Sequence, residues 1–292
     1  MLNTSAAIST CSEMGMQIGV NAEGFWRKNL LERDNNLNIC GQERPLVSVI
    51  MPAYNAEKYI AEAIQSVISQ TYTNWELFVL DDCSTDGTAE IAEGFANADS
   101  RIQLLQNPQN MGVARTRNRG FDLANGEWIA LLDSDDVWHS DKLEQQLAIA
   151  KETGAEVIYC SYSLMNENGE HLSDFIVPKT TSYGAMLKES VLSCSTVLIY
   201  REVLNNHRFS TDYYHEDYVF WLELLKSGFT ATACCEILAD YRVAKGSRSN
   251  NKFYSAINRW EIYRKVEKLP LLKSMKVFTA YAVNGLIKHK RL

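Results

Sequence analysis

Leu46-Val-Ser-Val-Ile-Met51 runs directly into Pro52-Ala-Tyr-Asn-Ala56. A short apolar run halted by a proline reads as a buried strand of a parallel sheet, predicted to stop at Pro52. Residues 56–70 then place Ile60, Ile64, Val67 and Ile68 at helical spacing, and Trp75-Glu-Leu-Phe-Val-Leu80 reads as a second strand. Helices are predicted over 88–96 and 112–124, and strands over 102–105 and 128–132. Strand and helix alternate throughout this stretch, which implies a parallel sheet wrapped by helices.

Beyond Asp136 the rhythm changes. A helix is predicted over 141–152, a strand over 156–159, a turn at Asn166-Glu-Asn-Gly169 and a strand over 196–200. An apolar-rich helix over 217–227 should end at Gly228. A strand near 230–242 and one or two basic helices complete the chain. The expected organisation is an extension over 1–44, a nucleotide-binding half over 45–140, an acceptor-side half over 141–250 and a basic helical tail over 251–292.

The 292 residues carry 46% apolar and 22% charged side chains, an ordinary globular balance. The net charge of -7 argues against a general nucleic-acid binder. Residues 251–292 hold ten Lys/Arg against Glu261 and Glu267, a net of +8, so the remainder carries -15. Seven cysteines without C-x-x-C spacing point to free thiols in a reducing compartment. No signal-peptide pattern and no apolar run long enough for a membrane span is found, so a cytoplasmic protein is expected.

In open α/β sheets ligands bind at the carboxyl ends of strands. Those ends carry Tyr54, Asp81-Asp82 and Asp133-Ser-Asp-Asp136. Three carboxylates within four residues repel one another, and a hard divalent ion with phosphate oxygens would offset that. A solvated turn with Asp136 capping a helix is the competing reading. In Asp81-Asp82-Cys83-Ser84-Thr85-Asp86-Gly87-Thr88, Ser84, Thr85 or Asp86 can cap the next helix. Asp81 and Asp82 do not read as caps; accepting an N–H from a flat ring such as uracil is one option among several. Gly112-Val-Ala-Arg-Thr-Arg117-Asn118-Arg119-Gly120 puts three arginines on one helix. A solvated basic face suits Arg115 and Arg119, and contact with the acidic edge or a diphosphate is the alternative for one arginine. His215-Glu216-Asp217 opens an apolar helix, either complementing its dipole or supplying a general base. Tyr241-Arg242-Val-Ala-Lys245-Gly246-Ser247-Arg248-Ser249 suits a loop closing on phosphate, or a plain surface loop.

Taken together, from about Val47 to Ser249, these strings resemble the family-2 glycosyltransferases, inverting enzymes of the GT-A fold. The resemblance rests on Val-Ser-Val-Ile-Met-Pro-Ala-Tyr-Asn, Asp-Asp-Cys-Ser-Thr-Asp-Gly-Thr, Arg-Asn-Arg-Gly, Asp-Ser-Asp-Asp and Glu-Asp-Tyr-Val-Phe-Trp, all in the family's order. It implies a mostly parallel Rossmann-like sheet flanked by helices, with a mixed acceptor-side sheet. It also implies that Pro52, Tyr54 and Asp82 hold the base, usually uracil, and that Asp133 sits near the ribose and diphosphate. Asp135 would coordinate Mg²⁺ or Mn²⁺, with Asp136 supporting it through water or by fixing the loop. Asp217 would be the general base beside Glu216, and Arg117 holds the family's basic helix position. Lys245 and Arg248 fall in the loop over the diphosphate, where a histidine often found in the family is absent.

The resemblance further implies transfer of one hexose or N-acetylhexosamine from a nucleoside diphosphate sugar, with inversion. The Gln-x-x-Arg-Trp motif and membrane spans of the processive synthases are missing. The expected acceptor is therefore a glycan or an undecaprenyl-diphosphate-linked sugar in surface polysaccharide or O-antigen synthesis. For residues 271–287 two readings stand: a helix lying on the anionic inner-membrane surface, or one packed on the catalytic domain. Two other functions compete. A nucleotidyltransferase should show a Gly-rich basic loop after the first strand, and residues 52–56 contain neither glycine nor arginine. A sugar-nucleotide-binding scaffold would not be expected to keep the whole acidic set together with Asp217.

Overall fold

A computed structural model describes residues 44–243 and 252–290 of the chain. The expected N-terminal extension, and with it Lys245 and Arg248, lies outside the described residues.

The first half follows the alternation read from the sequence. Strand β1 (Val47–Ala53) is followed by helix α1 (Ile60–Ile68), β2 (Trp75–Asp81), α2 (Thr88–Ala98), β3 (Ile102–Gln106), α3 (Val113–Leu123) and β4 (Trp128–Leu131). β1 lies between β2 and β4 and runs parallel to both, and β2 runs parallel to β3. Every residue of β1 is buried, as a central strand covered on both faces requires. β1 passes through Pro52 rather than stopping there. Ile50 faces β4, its C=O accepting from Leu132 N, so Pro52, two residues on, turns its missing N–H to the same side. Pairing with β4 has already ended there, at Ile50 and Leu131, so no ladder bond is lost.

The second half adds β5 (Val137–Trp138), α4 (Lys142–Thr153), β6 (Val157–Met165), β7 (His171–Phe175), β8 (Thr180–Thr181), the one-turn α5 (Tyr183–Met186), β9 (Leu198–Tyr200), α6 (Glu216–Lys226) and β10 (Ala231–Arg242). The tail forms α7 (Lys252–Glu261), a π-helical turn (Ile262–Val266) and α8 (Leu271–Lys290). The strands make one ten-stranded mixed sheet in the order β3-β2-β1-β4-β9-β6-β10-β5, with β7 beside β6 and β8 beside β10. Antiparallel β9 joins the two parallel blocks, pairing β4 on one side and β6 on the other. The strand predicted over 156–159 runs on to Met165, because Ser161 and Ser163 are accommodated: their hydroxyls donate to Cys235 O and to Asp174 Oδ1. β5, β7 and β8 are short or partly exposed and have no distinct apolar period in the sequence.

Helices on the two faces bury separate clusters. Ile60, Ile64 and Val67 of α1 pack with Val47, Val49 and Leu77. Phe121 of α3 and Phe220 and Trp221 of α6 pack with Ile50, Phe78 and Leu80. α3 lies very close to the sheet at Gly120, where an added Cβ would come within 2.4 Å of Ile50 Cγ2 and 2.8 Å of Leu80 Cδ1. α6 ends before Gly228, whose φ of 95° is the left-handed stop expected from the sequence.

Candidate active site

The carboxyl ends of β1, β2 and β4 meet at one edge of the sheet. Tyr54, just past β1, is 52% exposed, while Pro52 beneath it is buried. Asn55 adopts φ 50°, and its Oδ1 accepts from Thr85 N (2.9 Å) while its own N–H donates to Ser84 Oγ (2.9 Å). Ala56 N donates to Thr88 Oγ1 (2.7 Å), so the turns after β1 and β2 are tied together. None of the candidate caps takes the N-cap position, which Gly87 holds; Asp86, one residue earlier, accepts from Thr88 N through Oδ1 at 3.0 Å.

Asp82 is buried, and its carboxylate receives three protein donors. Oδ1 accepts from Asn107 Nδ2 (2.7 Å) and Met111 N (2.8 Å), and Oδ2 accepts from Gly112 N (2.8 Å). It thereby orders the loop leading into α3. Arg119, expected on a solvated face, instead donates to Gln106 O (3.0 Å) and Asn107 Oδ1 (2.5 Å). That expectation is corrected because the end of β3 lies beside the helix and supplies a backbone and a side-chain acceptor. Arg115 is exposed, as expected.

Arg117 is the hub of the site. Its NH2 donates to Asp133 Oδ1 at 2.6 Å, and its NH1 donates to Glu216 Oε1 at 3.3 Å. Burial alone would lower its pKa, but the carboxylates of Asp133 and Glu216 more than offset that, so the guanidinium is held firmly charged. Its neighbour Asn118 clamps the segment before α6, donating to Phe209 O and accepting from Phe209 N, both at 2.9 Å. One short stretch of α3 thus joins the acidic turn to the start of α6. Asp217, half-buried in the first turn of α6, accepts from Tyr218 N at 2.7 Å.

In the acidic turn the carboxylates are differentiated. Asp136 is buried and spends both oxygens inside the fold: Oδ2 accepts from Ser195 Oγ (2.5 Å) and Oδ1 from Arg242 N (2.9 Å). It caps no helix. Burial, together with Asp135 and Asp133, pushes its pKa well up. Burial and the Asp133 charge raise Asp135 to about 6. Asp133 keeps 29% of its side chain exposed while paired with Arg117. Among the described residues no three His, Cys, Asp or Glu side chains converge into a metal cage. The donor set nonetheless fits a hard cation completed by phosphate oxygens: oxygen-only ligands on one turn, among them Asp135, whose carboxylate form is disfavoured first by burial and then by the Asp133 charge.

Two residues outside the expected set hold this turn. Ser195 Oγ accepts from Asp133 N (3.0 Å) while donating to Asp136, and Ser195 O receives Trp138 Nε1 (2.7 Å). Arg242, buried at the end of β10, donates from Nε to Asp135 O (2.8 Å) and from NH2 to Glu62 Oε2 (2.6 Å), and lies over the Tyr59 ring at 4.4 Å. Arg242 stands in the basic string noted in the sequence, but its acidic partners lie far away along the chain. A serine at 195 gives no signal of its own.

The tail contacts α6 directly. Arg259 of α7 stacks on the Tyr218 ring at 3.3 Å, Tyr254 meets Tyr214 at 5.0 Å, and Tyr263 OH donates to Leu187 O. Ser274, Val277 and Leu269 are buried, whereas Leu271, Leu272 and Met275 are exposed. The tail therefore packs on the catalytic body through one face and leaves another bare. No helix among the described residues is long and apolar enough to cross a membrane.

Comparison with known proteins gives a consistent result. Residues 48–206 match the family model described as Glycosyl transferase family 2. The chain is 40% identical over 246 residues to TuaG of Bacillus subtilis (strain 168), named for teichuronic acid biosynthesis, covering 84% of this chain and 98% of that one. It is 39% identical to WfgD of Escherichia coli, a UDP-Glc:alpha-D-GlcNAc-diphosphoundecaprenol beta-1,3-glucosyltransferase, covering 84% and 95%. Among solved structures, S. aureus TarS 1-349 in complex with UDP-GlcNAc superposes with a TM-score of 0.65 at 23% identity, covering 81% of this chain and 71% of that one. The Pyrobaculum calidifontis mannosyltransferase PcManGT, in complex with GDP-Man and Mn²⁺, gives 0.57 at 17% identity, covering 89% and 77%. The fold is the GT-A-like α/β arrangement expected from the sequence.

Proposed function

The chain belongs to glycosyl transferase family 2, and we propose that it transfers one hexose or N-acetylhexosamine from a uridine diphosphate sugar to a lipid-diphosphate-linked acceptor, with inversion. The observation that carries this reading is the Asp133–Arg117–Glu216 chain of ion pairs, which links the acidic turn to the helix bearing Asp217. The WfgD and WfaP relatives are named for such an acceptor, and for UDP-Glc as donor.

In this reading Tyr54 offers its exposed face to the base. Asp82 Oδ2, with one protein donor, keeps an acceptor direction for a ring N–H. Asp135 would hold Mg²⁺ or Mn²⁺ against the diphosphate, where a divalent ion neutralises developing negative charge, and Asp133 would sit near the ribose and diphosphate. Asp136 fixes the turn through Ser195 and Arg242. Lys245 and Arg248, following Arg242 in the chain, supply cationic groups for the same diphosphate. Asp217 takes the proton of the acceptor hydroxyl as that oxygen forms its bond to the anomeric carbon. The bond from that carbon to the diphosphate oxygen breaks on the opposite face, and the nucleoside diphosphate leaves with the electron pair. Glu216, held by Arg117, keeps the first turn of α6 in place. Fixing both substrates in line supplies much of the acceleration.

The acceptor's lipid brings the bilayer into this reading. Among the described residues, four of the ten exposed large apolar side chains lie on α8: Leu271, Leu272, Met275 and Val283. Lys273 and Lys276 flank that α8 face, so its charge complements the anionic cytoplasmic leaflet of the inner membrane. The test is a screen of diphosphate release across uridine and guanosine diphosphate sugars, with Mn²⁺ or EDTA, and with or without α-GlcNAc-diphosphoundecaprenol. Metal-dependent, acceptor-stimulated release from a uridine diphosphate sugar is expected. Release only from a guanosine diphosphate sugar, or no stimulation by any lipid-linked sugar, contradicts it.

A further inference from the structure

Immediately before Asp217 stand two half-buried aromatic side chains, Tyr214 and His215. Tyr214 and His215 meet edge to face at 5.1 Å and 80°, and Tyr254 from α7 meets Tyr214 at 5.0 Å and 88°. Tyr254 is 47% exposed, and Ile257, one turn further along α7, is 45% exposed. The aromatic contacts of Phe209, Phe220 and Trp221 lie inside the core. The Tyr214–Tyr254 corner instead stands at the surface.

Its position relative to Asp217 is fixed from both sides. Tyr214 and His215 lead directly into α6, with His215 as the helix's N-cap residue. α7 is seated on the same first turn by Arg259, buried against the ring of Tyr218, the residue after Asp217. A pyranose presents one face of C–H groups, whose slight positive charge suits the negative face of an aromatic ring. Tyr254, nearly half exposed and held at right angles to Tyr214, offers such a sugar a ring. Convergent aromatic surface with a polar group at its edge is the composition of a small-ligand subsite.

We propose that Tyr254 and Tyr214, with His215 at their edge, form the platform on which the acceptor's terminal sugar stacks while its hydroxyl meets Asp217. This rests on the reading of Asp217 as the base. It makes the C-terminal helix α7 part of the acceptor site rather than an appendage.

The test compares wild type with Tyr254→Ala and Tyr254→Trp in the full chain, on α-GlcNAc-diphosphoundecaprenol with saturating donor. Tyr254→Ala should raise the acceptor KM by about tenfold, far more than it changes the donor KM. Tyr254→Trp, which keeps a ring face, should stay close to wild type. Binding is read separately by saturation-transfer NMR with methyl α-N-acetylglucosaminide and nucleoside diphosphate present, which needs no turnover. A signal in wild type and in Tyr254→Trp, lost in Tyr254→Ala, supports the platform. An unchanged acceptor KM in Tyr254→Ala, an NMR signal that survives that change, or no signal in wild type overturns it. Normal transfer by Asp217→Asn would remove the base assignment alone, because the Tyr254 comparison would still be readable.

Discussion

Arg117 shows how much one side chain organises here. It is buried and paired with Asp133 and Glu216, which come from opposite sides of the site. Removing one member of a buried ionic set leaves the others uncompensated, at about 3–5 kcal/mol. Arg117→Met is therefore expected to lower thermal stability markedly and abolish transfer together, whereas Arg115→Met, on the exposed face, should leave both unchanged. Differential scanning calorimetry and rate measurements on the two variants check this. Asp135 gives a second prediction. Its folded-state pKa is raised to about 6 from 3.8, so the folded chain holds more protons than the unfolded one between those values. Stability in EDTA should then fall as pH rises through this window, by up to about 1.4 kcal/mol per pH unit. Mn²⁺ should offset that fall, because the cation replaces the proton. A chemical-denaturation series from pH 4 to 7 on wild type and Asp135→Asn, with EDTA or Mn²⁺, isolates this contribution; a difference between the two in EDTA that does not change with pH would contradict it.

At the scale of elements, α3 carries the greatest density of function. Within four residues Arg117 reaches the acidic turn, Asn118 clamps Phe209, Arg119 orders the Asp82 loop and Gly120 admits the helix to the sheet. Gly120→Ala would drive a methyl into Ile50 and Leu80, and overpacking of this kind costs about 1–3 kcal/mol. The drop in denaturation midpoint should appear without any change in donor KM; an unchanged midpoint would mean that α3 can lift from the sheet freely. The alternating strands and helices were legible because buried parallel strands are continuous apolar runs and their helices repeat at 3.6 residues. The carboxylate-bearing strand ends were legible too, since each follows such a run. Ser195 and Arg242 were not. Their partners in the acidic turn lie 59 and 106 residues away, and only the pairing of β9 and β10 into the sheet brings them close. Arg119 was misread for a related reason, since its acceptors stand at the end of β3, whose place beside the helix local periodicity does not encode.

Across the whole molecule, charge and apolar surface are segregated. Residues 251–292 carry +8 against -15 elsewhere, and the same region bears most of the exposed apolar side chains among the described residues. The proposed bilayer contact uses the bare face of α8, so Leu272→Glu combined with Met275→Glu should abolish flotation with anionic vesicles. Because both side chains are exposed, folding and soluble donor hydrolysis should persist. Flotation equal to wild type would place any membrane contact elsewhere.

The central claim is that Asp217, held beside the acidic turn through Glu216 and Arg117, removes the acceptor proton. The most direct measurement is the transfer rate of Asp217→Asn at saturating donor, acceptor and Mn²⁺, with donor affinity determined on the same preparation. The account predicts a loss of about 10²–10⁴ in kcat with donor affinity unchanged; transfer within a few fold of wild type would contradict it.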